Sequence, residues 1–437
     1  DLNSRSVCRI DDVKALRNSQ FAEDEGPNSH SIKPRSYMEI NNFYTATIYS
    51  KGAEVIRMLH TFLGEDGFRK GMDKYFELFD GQAVTTEDFI HSMEVVSDID
   101  FSQFKNSWYQ FAGTPELTIE SEYQEDQKKY FLKIRQNKNK IYHLPLKLAL
   151  LDKSGIELPL ILSDPSQFNS EQSYLNISKD QEDFVFEQIE EMPTTSINRN
   201  FSAPIKIKKQ QSLKELTFLM KYDQDDFNRY EASQTLSKYF ILDQYSNGAV
   251  DDLKLDSDYM DSFIYLLNDS TIENSFKAQC MQVPSENILY QDLDIIDVEK
   301  IYNIRKKFIL MRTLSSFDQI QEIYNELNVP EDYSLYINAQ GRRSLKNTCL
   351  ALLCATEKEQ AYDLCFKQYT NANNMTDEFS SFYHLVQTNN KYSLGVISSF
   401  YNKWKSDTLV IQKWLSAQSS GSEGDCINRI KELEQSD

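Results

Sequence analysis

Apolar residues recur every three or four positions in the first part of the chain. Ala53, Ile56, Leu59 and Leu63 fall on one helical face, and a second such pattern runs through Phe68, Met72, Tyr75, Phe76 and Phe79. Thr85 stands three residues before Asp88 and ahead of Phe89, Ile90 and Val95, the spacing of a capping box. A last helix carries Phe101, Phe104, Trp108 and Phe111, and Gly113, with Pro115 after it, is expected to close it as a left-handed cap. Beyond Gly113 the period drops to two. Leu117, Ile119 and Tyr123, then Tyr130, Leu132 and Ile134, then Leu144, Leu146, Leu148 and Leu150 alternate in short runs. Turn signals at Glu125-Asp126, Asn137-Lys138-Asn139 and Lys153-Ser154-Gly155 separate them, and further strands fit Ser173 to Ser178 and Asp183 to Ile189. Short strands at that spacing predict a small antiparallel sandwich bounded near Gly113 and Pro204.

From Ser212, which forms a second capping box with Glu215, the pattern is helical to the end. Amphipathic units around Phe227 to Leu242, Tyr259 to Leu267, Val298 to Leu314 and Leu345 to Leu353 predict stacked helix pairs, a solenoid-like array without a strict sequence repeat. Cys426 to Asp437 reads as a short charged helix with no terminal capping unit, so the array is expected to be cut short.

Composition narrows the partners. The chain is 40% hydrophobic with few Gly and Pro, which fits a folded protein, and its net charge of −20 has no basic block to offset it, which argues against nucleic acid. No apolar run reaches the roughly 18 uncharged residues of a membrane span, and Asp1 to Arg9 is too polar for a signal peptide. Cys8, Cys280, Cys349, Cys354, Cys365 and Cys426 lack CxxC spacing and read as reduced thiols, so a soluble cytoplasmic protein is expected.

Local chemistry is sparse. The histidines are His30, His60, His91, His143 and His384, no two of them four apart, so no HExxH places two imidazoles on one helical face. His60 and His91 lie within amphipathic helices and read as ordinary packing or surface residues. GxSxG, GxxxxGK[ST] and GxGxxG are absent. One segment is unusual: Asn41-Asn42-Phe43-Tyr44-Thr45-Ala46-Thr47-Ile48-Tyr49-Ser50-Lys51-Gly52-Ala53 sets two tyrosines, two amides and a Lys-Gly step before an amphipathic helix. On the residues alone, its Asn and Thr can be caps and its tyrosines packing residues.

The run Asn41 to Met58 resembles the tyrosine-bearing segment of the alanyl aminopeptidases, a branch of the gluzincin zinc aminopeptidases. Arg9-Ile10-Asp11-Asp12-Val13, Gln20-Phe21-Ala22-Glu23-Asp24, Phe111-Ala112-Gly113-Thr114-Pro115, Asn200-Phe201-Ser202-Ala203-Pro204 and Asn373-Asn374-Met375-Thr376-Asp377 resemble the same branch, in the same order. The resemblance implies a multidomain α+β fold. Residues 1–112 would be the helical C-terminal part of a thermolysin-like catalytic domain, 113–205 an immunoglobulin-like β-sandwich, and 206–437 an α-helical domain, truncated at its end.

It also implies chemistry. In that family zinc is held by the histidines of HExxH and a distal glutamate, while the motif's own glutamate is the general base; these are expected upstream of Asp1, so this chain alone would hold no metal and be inactive. The tyrosine of the Tyr-x-Lys-Gly context, here Tyr49, would donate to the tetrahedral oxyanion, since a phenol is protonated at pH 7 and its hydrogen bond strengthens as charge develops. Tyr44 would line the pocket for the substrate's first side chain. Peptides are the implied substrates and a monomer the implied state, with no nucleic acid and no membrane partner. A non-catalytic scaffold or peptide-binding descendant is the alternative, and retention of Tyr49, Lys51 and Gly52 in register favours the enzyme. Without its catalytic partners, the face of residues 1–112 carrying Ile56, Leu59 and Phe76 is expected to lose packing, making that end the least stable.

Overall fold

A computed structural model describes residues 4–137, 139–209, 211–388, 390–421 and 426–435. The chain divides into two compact units. One comprises Cys8–Leu236 and Ser285–Asp294, the other Asp1–Val7, Ser237–Pro284 and Ile295–Asp437.

The chain opens with the helix Arg5–Ala15, a π-helical turn Leu16–Gln20 and the helix Phe21–Glu25. An irregular stretch leads through a 3-10 turn Ile40–Phe43 and a π-helical turn Thr47–Lys51 into a long helix, Gly52–Phe79. The two apolar patterns expected here are its two halves. Helical phase restarts at Gly64, whose backbone (φ 69°, ψ 173°) is a conformation that side chains with a Cβ resist. Thr85 and Asp88 cap the helix Thr86–Ser97 reciprocally, as their spacing predicts. The helix Ser102–Gln110 ends earlier than expected. Its C-cap is Phe111 in an extended conformation, so Gly113 (φ 92°) is not the cap; its positive φ instead serves the turn that leads into the first strand.

Eight strands follow among the described residues: β1 Glu116–Gln124, β2 Lys129–Arg135, β3 Leu144–Leu151, β4 Phe168–Asn169, β5 Tyr174–Ile177, β6 Gln181–Phe186, β7 Thr194–Ile197 and β8 Lys206–Lys208. They form two four-stranded sheets, ordered β6-β2-β1-β8 and β4-β5-β3-β7. The sandwich is antiparallel except at one edge. There β8 runs parallel to β1, with Glu116 opposite Lys206 and Thr118 opposite Lys208, a departure from the all-antiparallel expectation. Lys138 of the predicted Asn137-Lys138-Asn139 turn lies outside the described residues.

Alternation in β1 and β2 holds, with Leu117, Ile119, Leu132 and Ile134 inward, whereas β3 is buried on nearly every position because the helix Gly52–Phe79 covers its outer side. One continuous core therefore joins helix and sandwich, running from Val55, Met58, Leu59 and Phe62 through Phe104 and Trp108 to Leu146, Leu175 and Phe184. Burying such side chains contributes about 1.5–3 kcal/mol each. Leu59 is fully buried and Ile56 packs against this core, so neither loses its partners as expected; Phe76 does face solvent.

In the second unit, the helices Phe317–Leu327 and Ile337–Cys354 pack together, as do Glu359–Asn371 and Met375–Gln387. Asp297, Asn374 and Asp407 accept backbone N–H groups at the starts of their helices, satisfying donors that a helix leaves orphaned. The last described helix is Cys426–Glu434; Ser436 and Asp437 of the predicted terminal helix lie outside the described residues.

Candidate active-site tyrosine segment

The segment from residue 39 to residue 54 has two faces. On the outer one, Tyr44 and Tyr49 are 68% and 61% exposed, and their rings stack at 6.0 Å with planes 22° apart. Their backbone is fixed by local side chains. Asn42 Oδ1 accepts from the N–H groups of Met38 (3.0 Å) and Glu39 (3.1 Å), and Thr45 Oγ1 accepts from Ile48 N (3.2 Å) while pairing with His30 Nε2 (2.9 Å). Asn42 and Thr45 are thus the caps that their residue types suggest. The tyrosines, by contrast, do not pack into a core. Among the described residues the Tyr49 hydroxyl has no hydrogen-bond partner.

The inner face is charged and buried. Thr47 donates to Glu23 Oε2 through both its N–H (2.8 Å) and its hydroxyl (2.6 Å). Lys51, 1% exposed, donates to Asp24 Oδ2 (3.0 Å) and to the carbonyl of Gly113 (2.8 Å); the Thr114 hydroxyl donates to the same Asp24 oxygen (2.9 Å). Glu54 receives both Nη groups of Arg9 at 2.6 Å, and that arginine also donates to the carbonyls of Asn200 (3.1 Å) and Phe201 (2.9 Å). Such fork-on-fork pairs fix orientation as well as charge. Burial pushes the Lys51 ammonium below its ordinary value, against the pull of Asp24.

Residues 47, 51 and 54 point inward at helical spacing, whereas 44 and 49 point outward. This division follows ordinary helical geometry: 47, 51 and 54 are four and three positions apart and share one face, while 49, two positions from 47, lies about 200° round the helix on the other. Sequence reasoning missed the roles of Arg9, Asp24, Thr47, Lys51 and Glu54. The available signal was the spacing of matched blocks: three of them, at 9–13, 20–24 and 111–115, supply partners of this one segment, and a fourth, at 200–204, holds Arg9 through the carbonyls of Asn200 and Phe201. The fifth lies in the other unit, where Asp377 pairs with the buried Lys346 (2.7 Å).

The histidines do other work. His143 Nε2 meets Asn176 Oδ1 (2.7 Å), and burial lowers its pKa; His60 lies against Phe68, its pKa also lowered by burial; burial holds His384 at about 4. Among the described residues no three His, Cys, Asp or Glu side chains converge so as to hold a metal ion. The described residues therefore do not fit a zinc centre by themselves. No helix among them is long and apolar enough to cross a membrane.

The described residues thus carry, in chain order, helices with an exposed tyrosine segment, a sandwich of two four-stranded sheets and a helical array, and comparison makes this class of architecture specific. The peptidase family M1 domain matches residues 4–108, a domain of unknown function with an Ig-like fold (DUF3458) residues 113–210, and a domain of unknown function made of ARM repeats (DUF3458_C) residues 213–437. The chain is 35% identical to aminopeptidase N of Escherichia coli and 33% identical to that of Haemophilus influenzae, over 99% of its own length in each case. It spans about half the length of these relatives, 50% of each. A crystal structure of Legionella pneumophila aminopeptidase A in complex with aspartic acid is similar over 94% of this chain and 48% of that one, at a TM-score of 0.82 and 27% identity. The chain belongs to the M1 peptidase family, in its aminopeptidase N branch.

Proposed function

We propose that this chain supplies the oxyanion-binding side of a zinc metallo-aminopeptidase that removes N-terminal residues from peptides. As a peptide carbonyl is attacked, its oxygen turns negative, and the Tyr49 phenol donates a hydrogen bond that tightens with the charge. Tyr44, stacked on Tyr49, forms a wall for the first side chain of the peptide; an aromatic face accepts both apolar and cationic groups, which suits broad specificity. One observation carries the reading: an exposed phenol whose hydroxyl has no hydrogen-bond partner among the described residues sits on a segment whose opposite face is clamped by two buried ion pairs. A donor held this way needs little reorganisation when charge develops. The free cysteines, four of them buried, suit a reducing compartment, and the cytoplasm is the proposed location.

Among the described residues no metal-ligating cluster is present, and in this proposal the chain alone is inactive. The test has two arms. The purified 437-residue chain is assayed for bound zinc and for hydrolysis of an alanyl arylamide; zinc-dependent turnover by it would overturn the proposal. The second arm joins the chain to the half of E. coli aminopeptidase N that it does not match. In that hybrid, Tyr49→Phe lowers kcat on the order of 10²- to 10³-fold with KM little changed. An unchanged kcat removes Tyr49 from the mechanism and leaves the chain a peptide-binding scaffold.

A further inference from the structure

Within the second unit, a cavity of about 430 Å³ lies between the helices Val298–Ser315 and Ile337–Cys354 and the connector after the helix Asn274–Cys280. Its volume is in the range of small-molecule sites. On one helix Arg305, Ile309 and Arg312 recur at four and three, so both guanidinium groups share a face; on the other, Thr348, Ala351 and Leu352 do the same. No carboxylate lines this cavity among the described residues, in a chain whose net charge is −20.

Arg312 is the informative group. It is 1% exposed, and among the described residues it forms no ion pair. Its Nη2 donates to the carbonyl of Met281, its Nη1 lies 3.5 Å from the Tyr259 hydroxyl, and the rings of Phe263 and Phe308 stand 4.6 and 5.7 Å from its carbon. Rings and a carbonyl offset part of the charge, but its Nε–H has no partner. A buried guanidinium without a counterion is costly, and a buried donor left unpaired adds to that cost. Thr348 brings to the same cavity a hydroxyl that has no partner among the described residues. Of the remaining walls, Met281, Val283, Ile309, Ala351 and Leu352 are apolar, and Gln282 and Asn347 add neutral amides.

We propose that this cavity binds a small oxyanion, a carboxylate or phosphate group on a short apolar body, with Arg312 as its counterion and Thr348 as a second donor. The Arg312 Nε–H is observed by nitrogen-15 NMR of the whole chain and assigned by its loss in Arg312→Lys or, should that variant not fold, by its proximity to the Phe263 ring. The chain is titrated with 4-methylvalerate, with inorganic phosphate, with the neutral 4-methylvaleramide, and with sodium chloride at matched ionic strength. The expected result is a saturable shift with at least one oxyanion and none with the amide or chloride. A response to the carboxylate alone assigns an organic acid; a response to phosphate alone assigns a phosphate-bearing ligand. Thr348→Val weakens binding on the order of tenfold, the loss of one hydrogen bond to a charged group. Ala351→Phe, which fills the cavity, abolishes binding. The proposal is overturned if neither anion saturates, if the amide matches the acid, or if Ala351→Phe leaves the response intact.

Discussion

Replacing Lys51 by Met tests whether the tyrosine segment is clamped from below. The side chains of Lys51 and Asp24 are 2% and 0% exposed, and the ammonium serves both that carboxylate and the Gly113 carbonyl. Methionine approximates the stem but leaves Asp24 charged and buried, with the Thr114 hydroxyl still donating to it and its other oxygen unpartnered. Removing one member of a buried pair costs about 3–5 kcal/mol. At about 2–4 °C per kcal/mol for a unit of this size, Tm falls by about 6–20 °C. The assay is thermal unfolding followed by Trp108, which is buried in the same unit, with Trp404 and Trp414 replaced by Phe so that it reports alone. Adding Asp24→Asn removes the stranded charge and recovers most of the loss, so the double variant loses less stability than the two single variants summed. The pH dependence has a definite sign. Because burial lowers the Lys51 pKa, the unfolded chain binds the extra proton between that lowered value and 10.5, so the wild type gains stability as pH rises through this window and Lys51→Met does not. The clamp is refuted if Lys51→Met costs no more than the exposed Lys70→Met, or if the double variant is no more stable than the single one.

Asp223 gives a second pH signature. Its side chain is fully buried, 3.3 Å from Arg199, and burial pushes its carboxyl up to about 6. The native state therefore holds a proton that the unfolded chain releases near pH 4, and stability is lost as pH rises through about 6, by about 3 kcal/mol at most. Asp223→Asn flattens that decline, so its stability relative to wild type, measured by urea unfolding, improves from pH 4 to pH 7.5; an equal difference at both pH values would count against this. In the hybrid enzyme, Tyr44→Ala raises KM for arylamides with large first side chains several-fold more than for alanyl arylamide, whereas an equal effect on every substrate would remove Tyr44 from the pocket.

Much of the sandwich was legible because alternation is a local signal: Leu117 to Ile134 and the runs after it state their own period. The edge strand Lys206–Lys208 was not, since three residues carry no period and its partner Glu116 lies at the other end of the domain. Capping boxes at Thr85 and Ser212 could be read directly, because both members lie within four residues. Lys51 could not. A lysine reads as a surface residue, and what buries it is Asp24, 27 positions earlier, together with Thr114, 90 positions beyond that aspartate. The outward direction of Tyr44 and Tyr49 escaped for another reason. A 3.6-residue wheel does set Tyr49 opposite Thr47, Lys51 and Glu54, but no local signal says which of the two faces is covered, and Tyr44 stands ahead of the π-helical turn.

The parallel pairing of β8 with β1 has a topological consequence. Lys206 N donates to Pro115 O at 2.9 Å, so the polypeptide enters and leaves the sandwich one strand spacing apart on the same edge. Ninety residues of chain thus form a closed excursion between two adjacent points, the geometry that tolerates insertion and exchange. The flanking backbone therefore needs no redirection if the sandwich is exchanged, but because its core is continuous with that of the helix Gly52–Phe79, a replacement must also carry the apolar face that meets Val55, Met58, Leu59 and Phe62.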